Sequence, residues 1–233
     1  VHLFHRPLAD DADALLDQLC AAARAGGHHH HVSLNANKLR LARTEPDVAR
    51  ILAEAHTAAA DGASVRWLAR AWGLEPPPRI AGCDLATALL QRAHRDGLRV
   101  FLFGASPAVL GRLAAQHAPV VVGAVDGYTR AHDAVAAAIE QAAPQLVLVA
   151  LGSPASERFI DRYRPDAVCV GVGGTFDVLA GEVARAPRFT HGLGLEGAWR
   201  VASQPRRRLM PAVAMARHLS DVLADGPAAV GAS

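Results

Sequence analysis

GVGGTFDVLAGEVARAP, Gly171–Pro187, is the stretch from which the rest of the chain can be read. The apolar run before it, Ala167-Val168-Cys169-Val170, has the composition of a buried strand. That strand empties into Gly171, Gly173 and Gly174, which permit close backbone approach and positive φ. Thr175 to Leu179 can then open a helix. A strand, a glycine turn and a helix in succession leave backbone N–H groups and a positive dipole end aimed at one point, which suits an anion such as a diphosphate. Asp177 follows, then Arg185 and Arg188 around Ala186-Pro187. The segment outlines a nucleotide-diphosphate site.

Outward from this point, strand-like and helical periodicities alternate, as they do in an α/β fold with a Rossmann-like parallel sheet flanked by helices. Helices are expected at Asp10–Ala25, Asn37–Arg43, Pro46–Ala59, Leu85–Asp96, Pro107–Gln116, Ala131–Ala142 and Ser156–Tyr163. Strands are expected at His30–Leu34, Val65–Leu68, Arg99–Phe103, Val120–Val122 and Leu146–Leu151. Glu75-Pro76-Pro77-Pro78 reads as a stiff surface connection, and no repeat of solenoid length is present. Residues 1–188 form the α/β domain in this reading. A short basic helical C-terminal appendage follows at 189–224, with amphipathic segments Gly194–Ala202 and Leu209–Leu223, and 225–233 is a disordered tail.

The 233 residues suffice for one substantial core. A net charge of +2 argues against a strongly electrostatic nucleic-acid binder. Its distribution is more informative: between Arg185 and Arg217 stand seven arginines and one acid, Glu196, which suits a phosphate or an acidic lipid surface. Cys20, Cys83 and Cys169 lack C-x-x-C spacing and read as thiols of a reducing compartment. Val1 to Arg6 carries neither a charged nor a long apolar leader region, and no apolar run approaches the ~20 residues of a spanning helix. A cytoplasmic protein with at most peripheral membrane contact is expected.

Further motifs stand in order along the chain: SLNANKL at Ser33–Leu39, ADG at Ala60–Gly62, RIAGCD at Arg79–Asp84 and FLFGASP at Phe101–Pro107. GAVDGY at Gly123–Tyr128, GSPASE at Gly152–Glu157 and LEGAWRVASQPRRRL at Leu195–Leu209 complete the set. With the glycine segment, this series resembles the WecG/TagA/CpsF glycosyltransferases, bacterial enzymes of cell-surface polysaccharide synthesis, over roughly Val32 to Leu209. The resemblance implies an inverting glycosyltransferase with a UDP-sugar donor and a polyprenyl-diphosphate-linked glycan acceptor. The sugar would be a hexose or N-acetylhexosamine type (N-acetylmannosamine, its uronic acid, or glucose). It also implies a peripheral place at the inner face of the cytoplasmic membrane, with the C-terminal arginines touching the lipid. A homo-oligomer is compatible with the sequence.

Transfer from a nucleotide sugar needs a base for the acceptor hydroxyl and compensation for the leaving diphosphate. Asp61 matches the family's base, although Asp-Gly in ADG is also an ordinary turn between a helix and a strand. Ser33, where the family has threonine, and Asn35 are placed to orient the sugar or to cap a helix. Arg79 matches a phosphate-holding arginine or is a solvated surface residue. Gly104 and Ser106 can line the nucleotide site, Ser106-Pro107 being equally a helix start. Tyr128 can pack on uracil or sit at the edge of the core, and Asp177 can hold base or ribose or cap local backbone. Ser156 stands where the family has glutamine, a sugar or acceptor contact, and Glu157 orients backbone or substrate.

No cofactor beyond the donor is implied. The only D-x-D spacing, Asp11-Ala12-Asp13, falls at a helix start, so metal-independent transfer is expected, with Arg200, Arg206 and Arg207 carrying the positive charge. His28–His31 reads as a partly exposed polar run able to bind metal adventitiously. Gly197 and Gln204 depart from the family's tryptophan and glutamate, which keeps open a non-catalytic nucleotide-sugar binder. A dinucleotide-dependent oxidoreductase or epimerase is a further alternative, against which Phe176 occupies the last position of G-x-G-x-x-G.

Overall fold

The computed structural model describes residues 2–4, 6–183, 220–224 and 226–227. A small antiparallel hairpin of β1 (His2–Leu3) and β2 (Arg6–Pro7) opens the chain. There follow α1 (Ala12–Ala25), β3 (His29–Leu34), α2 (Ala36–Thr44), α3 (Pro46–Glu54), β4 (Thr57–Ala60), α4 (Ala63–Ala71) and α5 (Gly82–Asp96). The second half contains β5 (Val100–Gly104), α6 (Pro107–Gln116), β6 (Val121–Val125), α7 (His132–Ala142), β7 (Leu146–Ala150), α8 (Ala155–Tyr163), β8 (Val168–Gly171) and α9 (Thr175–Leu179). The six longer strands form one sheet in the order β4-β3-β8-β7-β5-β6, and every pairing in it is parallel. This is the Rossmann-like α/β architecture that the alternating periodicity predicts.

Helices cover both faces, which is why β5, β7 and β8 read as nearly unbroken apolar runs. On one face α1, α5, α6 and α9 bury Leu19, Leu89, Leu113 and Phe176 against Leu102, Leu148 and Val170. On the other, α7 and α8 close over Phe103, Val149 and Cys169 through Ile139, Phe159 and Ile160. There too α2, α3 and α4 bury Leu39, Leu52 and Leu68 against Val32 and Leu34 of β3. Each fully buried Leu or Phe contributes roughly 1.5–3 kcal/mol. The exposed ion pairs between α3 and α8, Arg50–Asp161 at 2.6 Å and Arg158–Asp47 at 2.7 Å, add far less to stability.

Two sequence expectations fail together. The helix expected over Pro46–Ala59 stops at Glu54, and Thr57–Ala60 is a strand, paired from His31↔Thr57 to Leu34↔Ala60. Its three alanines favour helix intrinsically, but tertiary pairing with β3 overrides so weak a preference. The strand expected at Val65–Leu68 is instead part of α4, whose Val65, Leu68 and Ala69 at helical spacing are buried. ADG therefore follows a strand and precedes a helix, with the turn made at Gly62 (φ 101°).

Cys20 and Cys169 are buried and Cys83 is half-buried. Among the described residues no helix is long and apolar enough to cross a membrane. Residues 220–224 are helical, with Val222 buried in the cluster that α2, α3 and α4 share and Asp221 3.8 Å from Arg43. The rest of the expected appendage, with Gly197, Arg200, Gln204, Arg206 and Arg207, lies outside the described residues, as do Arg185 and Arg188.

Gly104 tests how tightly the sheet is closed. It has φ 119°, and a Cβ there would lie 2.5 Å from the carbonyl carbon and oxygen of Ala150. Gly104→Ala is expected to lower unfolding stability by about 1–3 kcal/mol, from overpacking and backbone strain. Gly111 lies within α6 with open space around it, so Gly111→Ala should raise stability by about 0.5–1 kcal/mol. Urea denaturation of both variants checks the pair of signs.

Candidate functional site

Because all six strands are parallel, their carboxyl ends share one rim. Asn35, Asp61, Gly104 to Ser106, Gly152 to Glu157 and Gly171 to Gly174 all stand there, one loop per strand. Strands β3 and β8 are neighbours in the sheet. The chain leaves β3 for α2 on one face and leaves β8 for α9 on the other. Diverging connections at adjacent strands open a crevice, the usual ligand position in such sheets.

Asp61 forms one wall. Its backbone N–H donates to Leu34 O at 2.7 Å, and its side chain is half-buried. Beside it, Arg79 bridges to Ala60 and Ile80 N–H donates to Ala60 O at 2.9 Å, so Arg79 flanks the end of β4 rather than standing apart in solvent. The chain then turns into the fifteen-residue α5, whose N-cap, Ala81, provides no side-chain cap. A Cβ on Gly82 would sit 3.4 Å from both Asp61 Oδ2 and Ser33 Oγ. The positive end of a long helix thus lies against the Asp61 carboxylate.

The opposite wall is built around Lys38, the only lysine among 24 Lys and Arg residues. Asn35 caps α2, its Oδ1 accepting from Lys38 N–H at 3.1 Å, as the capping reading requires. Lys38 Nζ lies 2.9 Å from Glu157 Oε1, with side chains only 6% and 3% exposed. Glu157 Oε2 accepts from Ser153 Oγ at 2.8 Å, and a Cβ on Gly171 would meet Glu157 Oε1 at 3.3 Å. Ser156 is buried too; its hydroxyl accepts from Leu151 N–H at 3.2 Å and donates to Val149 O at 3.3 Å. Sequence motifs pointed to Glu157 and passed over its partner. A lone lysine in a chain that otherwise uses arginine was the available signal, since a compact ammonium fits a buried corner that a guanidinium fork overfills.

In the glycine segment Gly173 takes φ 52° with open space where a side chain would be. Helix α9 has five residues, and Thr175 N–H already donates to Val172 O at 3.1 Å. The expected helix dipole is reduced to little more than one turn, whereas α5 has fifteen residues. The Asp177 carboxylate lies towards Gly174, 3.8 Å from its Cβ position. Ser106 caps α6 by accepting from Val109 N–H at 3.3 Å. Tyr128 is 75% exposed after β6, so its core reading does not hold. Strand β6, which it follows, lies three strand spacings, about 14 Å, from β8.

The histidine run departs from expectation. His28 and His29 are half-buried, but His30 and His31 are only 5% and 0% exposed, because β3 is an inner strand paired on both sides. Burial pushes His29 down to about 4 and His31 to about 3, and lowers His30 well below its ordinary range. Among the described residues no group of three or more His, Cys, Asp or Glu could hold a metal ion. Asp11 of the D-x-D sequence caps α1, accepting from Ala14 N–H at 2.6 Å.

The sequence model of the glycosyl transferase WecG/TagA/CpsF family matches residues 1–225. The match extends beyond the motifs on both sides and takes in both walls of the crevice.

Two outcomes follow from the buried charges and rings. Lys38→Met strands a buried carboxylate and should cost about 3–5 kcal/mol of unfolding free energy, with Glu157→Gln in the same chain recovering much of it. A Lys38 variant as stable as wild type would refute the pairing. His29, His30 and His31 stay neutral in the native state while unfolded they protonate below the ordinary 6.5, so their contribution to stability is complete above that pH and falls on acidification towards about 3. For one fully buried ring the loss at pH 5 is on the order of 2 kcal/mol. Urea midpoints between pH 7 and 5 should therefore drop, and His30→Val should flatten the decline.

Proposed function

The chain belongs to the WecG/TagA/CpsF family of glycosyltransferases of cell-surface polysaccharide synthesis, and from that premise we propose the reaction and its residues. The protein is an inverting, metal-independent transferase. It moves a hexose or N-acetylhexosamine-type sugar from a UDP-sugar to a polyprenyl-diphosphate-linked acceptor at the inner membrane face.

The observation that carries this reading is the position of Asp61: on the same rim as the glycine segment, half-buried, and against the N-terminus of α5. Asp61 takes the proton of the acceptor hydroxyl as that oxygen attacks the anomeric carbon from the face opposite UDP. The bond from that carbon to the diphosphate oxygen breaks, and UDP leaves with the electron pair. Asn35 turns its amide nitrogen, a two-hydrogen donor, towards the sugar while its oxygen stays on the α2 cap. Ser33 completes the Asp61 corner. Arg79 holds phosphate beside it, and Arg200, Arg206 and Arg207 offset the charge on departing UDP. The glycine segment, Gly104 and Asp177 border the nucleotide, with Tyr128 under uracil if UDP extends along the rim. Glu157 acts through Lys38 and Ser153 to hold the wall.

A nucleotide-sugar binder without transfer is the second reading. It is favoured by Ser156, whose short hydroxyl is engaged by backbone on both sides.

Purified protein is to be given a panel of UDP-sugars with membrane extracts that contain lipid-linked acceptors, and UDP release followed. Asp61→Asn should lower turnover by roughly 100- to 10,000-fold with folding intact. Near-normal rates would remove Asp61 from the role. Turnover that survives EDTA supports metal independence, whereas loss restored by manganese refutes it. Binding of a UDP-sugar with no transfer to any acceptor would select the second reading.

A further inference from the structure

The histidine run and Thr57 have no part in the reaction above, yet they are wired into its rim. In β3 alternate residues share a face, so His29, His31 and Ser33 stand in one row, with Thr57 of β4 directly beside His31. His29 Nε2 is 3.1 Å from Thr57 Oγ1, which is 3.0 Å from His31 Nδ1. His31 Nε2 is 3.4 Å from Ser33 Oγ, and Ser33 Oγ borders the same point at Gly82 as the Asp61 carboxylate. His31, Ser33 and Thr57 are all buried, at 0%, 4% and 8% exposure.

We propose that His31 is a positioning residue that fixes the rotor and polarity of the Ser33 hydroxyl beside Asp61. This rests on the reading of the Asp61 corner given above. A neutral imidazole has one N–H and one lone pair, and here both nitrogens are engaged, so the tautomer of His31 and the direction of the Ser33 hydroxyl are linked. With hydrogen on Nδ1, Nε2 accepts from Ser33, whose oxygen lone pairs then face the corner. With hydrogen on Nε2, Ser33 accepts from the ring and turns its own O–H to the corner. Serine lacks the β-methyl that stiffens threonine at χ1, so the ring supplies the restraint. Burial keeps the ring uncharged at neutral pH, which leaves the row without a stray cation beneath the site.

Two measurements test this. In ¹⁵N-histidine spectra, assigned by loss of the His31 signals in His31→Gln, Ser33→Ala should shift the His31 ring nitrogens; unchanged signals overturn the contact. A double-mutant cycle on kcat/KM for UDP release tests its use. His31→Leu should lower kcat/KM by about 5- to 20-fold with Ser33 present and by little in the Ser33→Ala background. An equal loss in both backgrounds would mean a packing role alone and overturn the proposal. Glutamine reaches the Nε2 position and asparagine only the Nδ1 position, so His31→Gln should recover activity better than His31→Asn, and the reverse order counts against the proposal. Should the wild type turn over no donor at all, the proposed function fails, while the spectra, which need no substrate, still decide this inference.

Discussion

The structure depends on the parallel pairing of β3 with β4 on one side and β8 on the other. β3 is the first strand of the large sheet and β8 the last, so this pairing closes a sequence separation of more than a hundred residues. It places the Asp61 corner and the glycine segment on either side of one crevice. A one-residue slip of β3 would turn Ser33 to the opposite face and exchange the buried histidines. Apolar packing on both faces holds the register: Val32 and Leu34 face α2 and α3, while Ala59 and Val170 face the α1 and α5 side.

Charge at the rim is handled in two distinct ways. At the Asp61 corner, a carboxylate lies against the N-terminus of α5, next to the backbone bridge between Ala60 and Arg79. Beneath the opposite wall the Lys38–Glu157 pair is sealed from solvent, so its worth is in fixing geometry more than in net stability. It ties the start of α2, the GSPASE turn and Gly171 into one unit, three motifs that lie far apart in sequence. A buried pair of this kind resists substitution of either member singly, which is a constraint that no local pattern reveals.

Much of the fold was legible. The apolar runs of β5, β7 and β8 and the amphipathic periodicity of α1, α5, α6 and α7 carry strong signals, because burial on one or both faces leaves a direct imprint on composition. The β4–α4 region was misread because Thr57–Ala60 is short and alanine-rich, and Val65–Leu68 is too brief for its period to be resolved. The site residues named from motifs stand on the expected rim where the structure describes them, but their partners were not legible. Lys38 occupies an unremarkable position in SLNANKL, and His31 is one of four identical neighbours.

Sequence alone therefore determined the class of fold, the motifs on its loops and the family, since each is written in local composition and spacing. Only the tertiary structure decided which groups touch: Asp61 against α5, Lys38 against Glu157, His31 between Thr57 and Ser33. Those contacts join residues brought together by strand order and register, and register is set by the packing of whole faces rather than by any short segment.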